Sequence, residues 1–167
     1  MDRSPTNTVF YRQATDLDIP SMARIRASEW GSEEYWKARI SGYLERKVHP
    51  QQALVPRVIY VALEDDCVAG FIAGHLTHRY ACHGELEWID VTRDRRRSGI
   101  ASELLRRLAL WFVEQGGSRI CVDVDPANTI ALGFYKRHGA EPLNPHWLIW
   151  NDIKVVIREI SSSHSGQ

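Results

Sequence analysis

The stretch that most constrains the fold is residues 99–117, GIASELLRRLALWFVEQGG. Ile100, Leu104, Leu108, Trp111 and Phe112 form an apolar stripe, with Glu103, Arg106, Arg107 and Glu114 opposite. A repeat of about 3.6 residues predicts one helix with a single buried side. Gly116 and Gly117 close it, since glycine accepts the left-handed turn that ends a helix. Such a stripe needs a sheet or a second helix to cover it.

The residues around it supply a sheet. VFYRQA (9–14), VIYVALE (58–64), CVAGFIAGHLTHRY (67–80), GELEWIDVT (84–92), SRICVDVD (118–125) and HWLIWNDI (146–153) read as strands. The second and third strands join through Asp65-Asp66 as a hairpin. Three more helices are expected. One opens near Thr15, with Asp18 three residues on as in a capping box and Pro20 tolerable only in a first turn. Another is 32–48, opened by Ser32 and two glutamates, and the last is 126–139. Residues 49–57 read as a loop, and KVVIREI is left between helix and strand. The order β-α-α-β-β-β-α-β-α-β predicts an α/β chain, a mixed central β-sheet with helices on both faces. One domain, 9–160, is expected, with flexible ends at 1–8 and 161–167.

Lys+Arg and Asp+Glu both number 21, so the chain carries no net charge. A dedicated duplex-DNA binder carries a basic excess, so no nucleic-acid partner is expected. No segment approaches the roughly 20 apolar residues of a membrane span, and the first residues lack a signal-peptide pattern. Three cysteines without framework spacing read as free thiols in a reducing compartment. A cytoplasmic protein follows as the expectation. Cys67, His75, His78, Cys82 and His83 fit no common zinc spacing, so no metal is expected. Cys121 reads as a small buried hydrophobe.

The chemistry lies where the fourth strand meets the long helix, at RRRSGIA (95–101). A helix N-terminus offers unpaired N–H groups and a partial positive charge, the usual site for phosphate. Gly99 and Ala101 keep that approach free of bulk, and the arginines add charge. A P-loop is excluded because G-K-[ST] is missing, as is a dinucleotide G-x-G-x-x-G. On the fourth strand, strict alternation places Glu85, Glu87, Ile89 and Val91 on one face and Leu86, Trp88 and Asp90 on the other. Tyr135 reads as a core residue and Asn128 as a helix cap.

Arg96-Arg97-Ser98-Gly99-Ile100-Ala101 resembles the Q/R-x-x-G-x-G/A pyrophosphate signature of the GNAT superfamily of acetyl-CoA-dependent N-acetyltransferases. About 30 residues later, NTIALGFYKRHGA (128–140) resembles that family's N-x-x-A-x-x-F-Y-x-x-x-G segment. Many members carry glycine where this chain has Arg97. The resemblance spans roughly 9–153 and implies the GNAT fold, with acetyl-CoA as cosubstrate and an amine as acceptor. It implies CoA contacts from residues 96–101, from Asn128, Ala131 and Phe134 on the last helix, and from Ile89 and Val91 along the pantetheine arm. It implies Tyr135 as the acid that protonates the departing thiolate. A base is implied on the fourth strand, Glu85 ahead of Glu87, or a water relay in place of either. Dimers occur in the family, which leaves a homodimer open. The acceptor is expected at the first two helices and the 49–57 loop, with Trp30, Tyr35, Trp36 and Tyr43 as contacts or simply as packing. The carboxylates point to a cationic acceptor. A different class stays in view, an acyl-CoA sensor with this fold and no turnover.

Overall fold

In the computed structural model, residues 8–47 and 53–158 are described. Seven strands form one sheet in the order β1-β2-β3-β4-β5-β7-β6. They are β1 (Phe10–Gln13), β2 (Leu54–Glu64), β3 (Cys67–Leu76), β4 (Gly84–Val91), β5 (Ile120–Asp123), β6 (Glu141–Asn144) and β7 (Trp147–Trp150). The helices are α1 (Ile19–Ala27), α2 (Glu33–Leu44), α3 (Ile100–Glu114) and α4 (Thr129–Arg137). Every neighbouring pair is antiparallel except β4–β5, which is parallel and spanned by α3.

Alternation along β2 divides the interior in two. Val58 and Ala62 face α3 and α4, while Ile59 and Val61 face α1 and α2. The predicted α3 stripe is buried to the last residue, Ile100 through Phe112. Each such side chain contributes about 1.5–3 kcal/mol relative to exposure. Gly117 N–H then donates to Phe112 O at 2.9 Å, the six-to-one bond of a glycine-closed helix end. On the opposite face Met22, Trp36, Ile40 and Tyr43 cover Phe71, Ala73 and Trp88. Helices therefore lie on both faces, as the sequence pattern predicts.

The start of α1 is fixed to the sheet. Asp18 accepts two bonds from the Arg12 guanidinium, at 2.7 and 3.0 Å, and a third from Thr15 N–H at 2.8 Å. These bonds hold its carboxyl below the ordinary range, with Arg12 the main cause. Ser32 caps α2, accepting from Tyr35 N–H at 3.1 Å.

Three expectations need correction. β2 begins at Leu54, inside the predicted 49–57 loop, because Leu54 and Arg57 find partners on β3 across an irregularity in register. β3 ends at Leu76, and a short helical turn follows at Arg79–Ala81. β6 was not expected; EPLN is polar and Pro-containing, and it survives as the sheet's edge strand. The start of KVVIREI is helical at 154–158. The ends predicted as flexible, like 49–52 of the loop, lie outside the described residues apart from Thr8.

Candidate active site

The loop between β4 and α3 takes the form a phosphate cradle requires. Gly99 caps α3 in the left-handed region, φ 87°, and supplies no side-chain cap. The first helical bond runs from Glu103 N–H to Gly99 O, which leaves the amides of Ile100, Ala101 and Ser102 open. A Cβ built on Gly99 would meet nothing within 4 Å, so the backbone angle demands glycine and the space above it stays clear. Arg97 is also left-handed, φ 66°, which explains glycine at this position in related signatures. The arginine side chains are partly committed elsewhere. Arg96 donates to Glu29 at 2.7 Å and to Val91 O at 3.3 Å, and Arg95 pairs with the buried Glu64. The Ser98 hydroxyl donates to Arg95 O.

Beside the cradle, β4 parts from β5. The two strands pair only across Gly84–Leu86 and Ile120–Val122. Thr92 N–H donates to Ala69 O on the β3 side at 2.8 Å. Alternation then turns the main-chain groups of Ile89 and Val91 the other way, into the gap left by β5.

Strict alternation fails on β4. Ala73 pairs with Trp88 and Gly74 with Leu86, so Glu87 is an extra residue in a bulge. Leu86, Ile89 and Val91 consequently face α3, whereas Trp88 faces α1 and α2. Glu85 and Glu87 do share a side, with His75 and Tyr43, but Ile89 and Val91 do not share it with them.

Those four residues form one polar group inside the α2 face. His75 Nε2 lies 2.6 Å from Glu85 Oε2, and the Tyr43 hydroxyl lies 2.9 Å from His75 Nδ1. Because a carboxylate only accepts, the proton is assigned to Nε2 and the Tyr43 hydroxyl donates to Nδ1. Arg79 Nε stands 3.2 Å from Glu85 Oε1. Both approaches to Glu85 are close polar contacts, with neither N–H aligned on the oxygen as in a straight hydrogen bond. Glu87 keeps its oxygens for the cavity; its nearest basic atom is His75 Nδ1, at 3.9 Å. The side chain of Glu87 is 14% exposed and that of Glu85 is 5%. Burial raises the Glu87 carboxyl above its usual range, against the attraction of His75.

Tyr135 is buried between Phe134 and Trp150. Burial pushes its hydroxyl well above the usual tyrosine value; Asp90 adds to the rise and Arg26 opposes it. Asp90 is itself raised by burial, although Arg26 reaches it at 3.0 Å. Asn128 caps α4, accepting from Ala131 N–H at 3.1 Å, so its side-chain oxygen is already engaged. Ala131 and Phe134 are half-buried against the α3-side core.

On the α1–α2 side, the carboxylates open into a cavity of about 490 Å³. Trp30, Tyr35, Trp36 and Arg39 form one wall, and Trp147 and Asp123 stand among the other lining residues. Of the four aromatics expected at the acceptor, Tyr43 is instead fully buried beneath it, bonded to His75.

The acetyltransferase (GNAT) family model matches residues 22–140, most of the chain, from within α1 to just past the end of α4. The chain belongs to the GNAT acetyltransferase family. Its fold is shared by solved structures of low identity. An N-acetyltransferase from Staphylococcus aureus superposes with a TM-score of 0.68 at 16% identity, covering 88% of this chain and 99% of that one. The PaiA N-acetyltransferase of Thermoplasma acidophilum, solved with coenzyme A, gives 0.64 at 17%, covering 87% and 99%. An aminoglycoside 6'-N-acetyltransferase from Acinetobacter haemolyticus gives 0.68 at 18%, covering 81% and 92%. No curated protein sequence matches. Among the described residues, no helix of this acetyltransferase is long and apolar enough to cross a membrane.

Sequence reasoning did not bring His75 and Arg79 together with Glu85 in the candidate site. A histidine within the otherwise apolar CVAGFIAGHL, one hairpin away from Glu85, was the available signal. His75, Glu85 and Glu87 bring three donor atoms within 4.8 Å of one another, near enough to hold an ion. Two of the three are already engaged within the protein, Glu85 by the Arg79 guanidinium and His75 Nδ1 by the Tyr43 hydroxyl.

Proposed function

We propose that this chain moves the acetyl group of acetyl-CoA to a primary amine by direct attack in a ternary complex. The observation that carries this is the parting of β4 from β5. It opens a main-chain edge between the uncovered N-terminus of α3 and the buried carboxylates. In this reading the amides of 99–102 hold the pyrophosphate, and Ile89 and Val91 bind the pantetheine arm as an added strand would. A main-chain N–H on that edge polarises the acetyl carbonyl.

The amine must arrive unprotonated. For a lysine-like amine of pKa about 10.4, that costs about 4.6 kcal/mol at pH 7. Glu87 is the base in this proposal, ahead of Glu85. Glu85 is held by Arg79 and His75, whereas Glu87 faces the cavity with a raised carboxyl. The amine nitrogen forms a bond to the acetyl carbon, the C–S bond breaks, and the amine proton passes to Glu87. The thiolate receives its proton, or a strong hydrogen bond, from Tyr135. A buried hydroxyl with a raised pKa stays protonated at any working pH, so donation to the developing thiolate is its main part.

The test measures thiol release from acetyl-CoA against amino acids, peptides, polyamines and aminoglycosides, with calorimetry of CoA binding alongside. Acceptor-dependent release is expected. CoA binding with no release for any amine would leave a sensor in place of an enzyme.

A further inference from the structure

Resting on the reading above, we infer that the acceptor is an amino-acid-like molecule: a primary amine that also carries a carboxylate, on an apolar or aromatic body. The charges lining the cavity carry this. Three arginines line it, Arg26, Arg39 and Arg79. Two are already committed. Arg26 pairs with Asp90 at 3.0 Å and lies 4.3 Å over the Trp36 ring. Arg79 pairs with Glu85 at 3.2 Å and lies 4.7 Å over the Trp147 ring. Arg39, half-buried on α2, has no carboxylate partner among the described residues. Its charge is nevertheless felt by Glu87.

Three carboxylates also line the cavity; Glu85 pairs with Arg79, which leaves Glu87, the exposed Asp123 and Arg39 without an Arg, Lys or carboxylate partner among the described residues, the guanidinium on α2 and the carboxylates on the sheet. A guanidinium offers paired donors that match a carboxylate. A bare polyamine or aminoglycoside would bring no anion to Arg39 and would set further positive charge beside it. The aromatic walls do not make up for this, since the protein's own cations cover the faces of Trp36 and Trp147. This narrows the cationic acceptor expected from the carboxylates alone to an amine that also carries an anion. Trp30 and Tyr35 remain exposed at the rim, with ring centroids 5.6 Å apart, and offer a surface for an apolar body. A volume of about 490 Å³ suits a small molecule.

The experiment compares matched acceptors that differ only in the anionic group. These are phenylalanine, its carboxamide, 2-phenylethylamine and the phosphonate analogue of phenylalanine, with spermidine as the polycation. For the natural chain, kcat/KM for phenylalanine should exceed that for phenylethylamine and for the carboxamide by at least tenfold. Spermidine should be poorest. In Arg39→Gln the ratio of phenylalanine to phenylethylamine should collapse towards one, and Arg39→Lys should restore part of it. Equal or better turnover of phenylethylamine or spermidine by the natural chain overturns this inference and leaves acetyl transfer standing. A preference for the phosphonate over phenylalanine overturns the carboxylate assignment. No turnover of any amine overturns the proposed function itself. Quenching of tryptophan fluorescence by phenylalanine reads the site independently of catalysis, and its absence overturns the inference.

Discussion

Gly70→Ala tests the open edge of β4 without touching any side chain proposed to act. A Cβ at Gly70 would lie 2.8 Å from Asp90 O, 3.1 Å from Val91 Cγ2 and 3.3 Å from Val91 Cα. Two of those atoms are backbone, so no rotamer change relieves the overlap. Moving from 2.8 Å to ordinary contact at 3.4 Å requires β4 to retreat by about 0.6 Å, into the gap beside β5. A misplacement of about 1 Å can cost roughly 10²-fold in rate, so about a tenfold fall in kcat/KM for acetyl-CoA is expected. Overpacking of this kind costs about 1–3 kcal/mol of stability. Gly84→Ala is the comparison. Its Cβ would overlap the Phe112 ring, with Cδ1 at 2.7 Å, and would approach Ile120 Cδ1 at 3.1 Å, at the paired end of β4. It should lower the melting temperature, at about 2–4 °C per kcal/mol for a chain of this size, while kcat/KM for acetyl-CoA stays within threefold. Steady-state kinetics and thermal unfolding on both variants read the difference. Loss of kcat/KM in simple proportion to lost stability, in both variants alike, would falsify the assignment of the β4 edge to acetyl-CoA.

Glu87→Gln should reduce turnover by about 10²–10³-fold yet raise the melting temperature at pH 7. A carboxyl whose folded pKa is raised contributes its stability below the unfolded value and loses it as pH rises through the folded one. The same shift places the acidic limb of the natural chain's pH–rate profile above the ordinary glutamate range, and a limb at the ordinary value would exclude Glu87 as base. Tyr135→Phe should cut turnover far more than CoA affinity measured by calorimetry; an unchanged kcat removes its role. Gly99→Ala places a Cβ where no protein atom stands, in a left-handed conformation. It should cost about 1 kcal/mol of stability and weaken CoA binding as well, whereas intact affinity would put the cradle elsewhere. Tyr43→Phe strips His75 Nδ1 of its buried donor and should destabilise by about 1–3 kcal/mol, read by denaturant unfolding.

The α3 stripe, the cradle glycine and the caps at Ser32 and Asn128 could all be read from sequence because each is a local signal: a period, a backbone angle, a single hydrogen bond. β6 could not, since EPLN has neither alternation nor β-branched residues and is held by non-local contacts, its pairing with β7 and the packing of Leu143. The Glu87 bulge was equally hidden. It is fixed by where β3 supplies partners, and nothing in GELEWIDVT marks the extra residue. The polar group of Tyr43, His75, Glu85 and Arg79 draws on four segments, and only the finished sheet and the α2 packing bring them together. The commitment of Arg96 to Glu29, 67 positions away, is another contact of that kind.

The extra residue at Glu87 also sets how much charge one side of the sheet can carry. A regular pleat gives each side only every second residue, whereas the bulge turns Glu87 and Trp88 to the same side as Glu85. Removing Glu87 would leave Leu86 opposite Gly74 and Trp88 opposite Ala73 as consecutive rungs of an ordinary ladder, so both would keep their sides and Glu85 would stay beside His75. A one-residue deletion here would therefore subtract a single carboxylate from the chamber while the rest of the strand held its register.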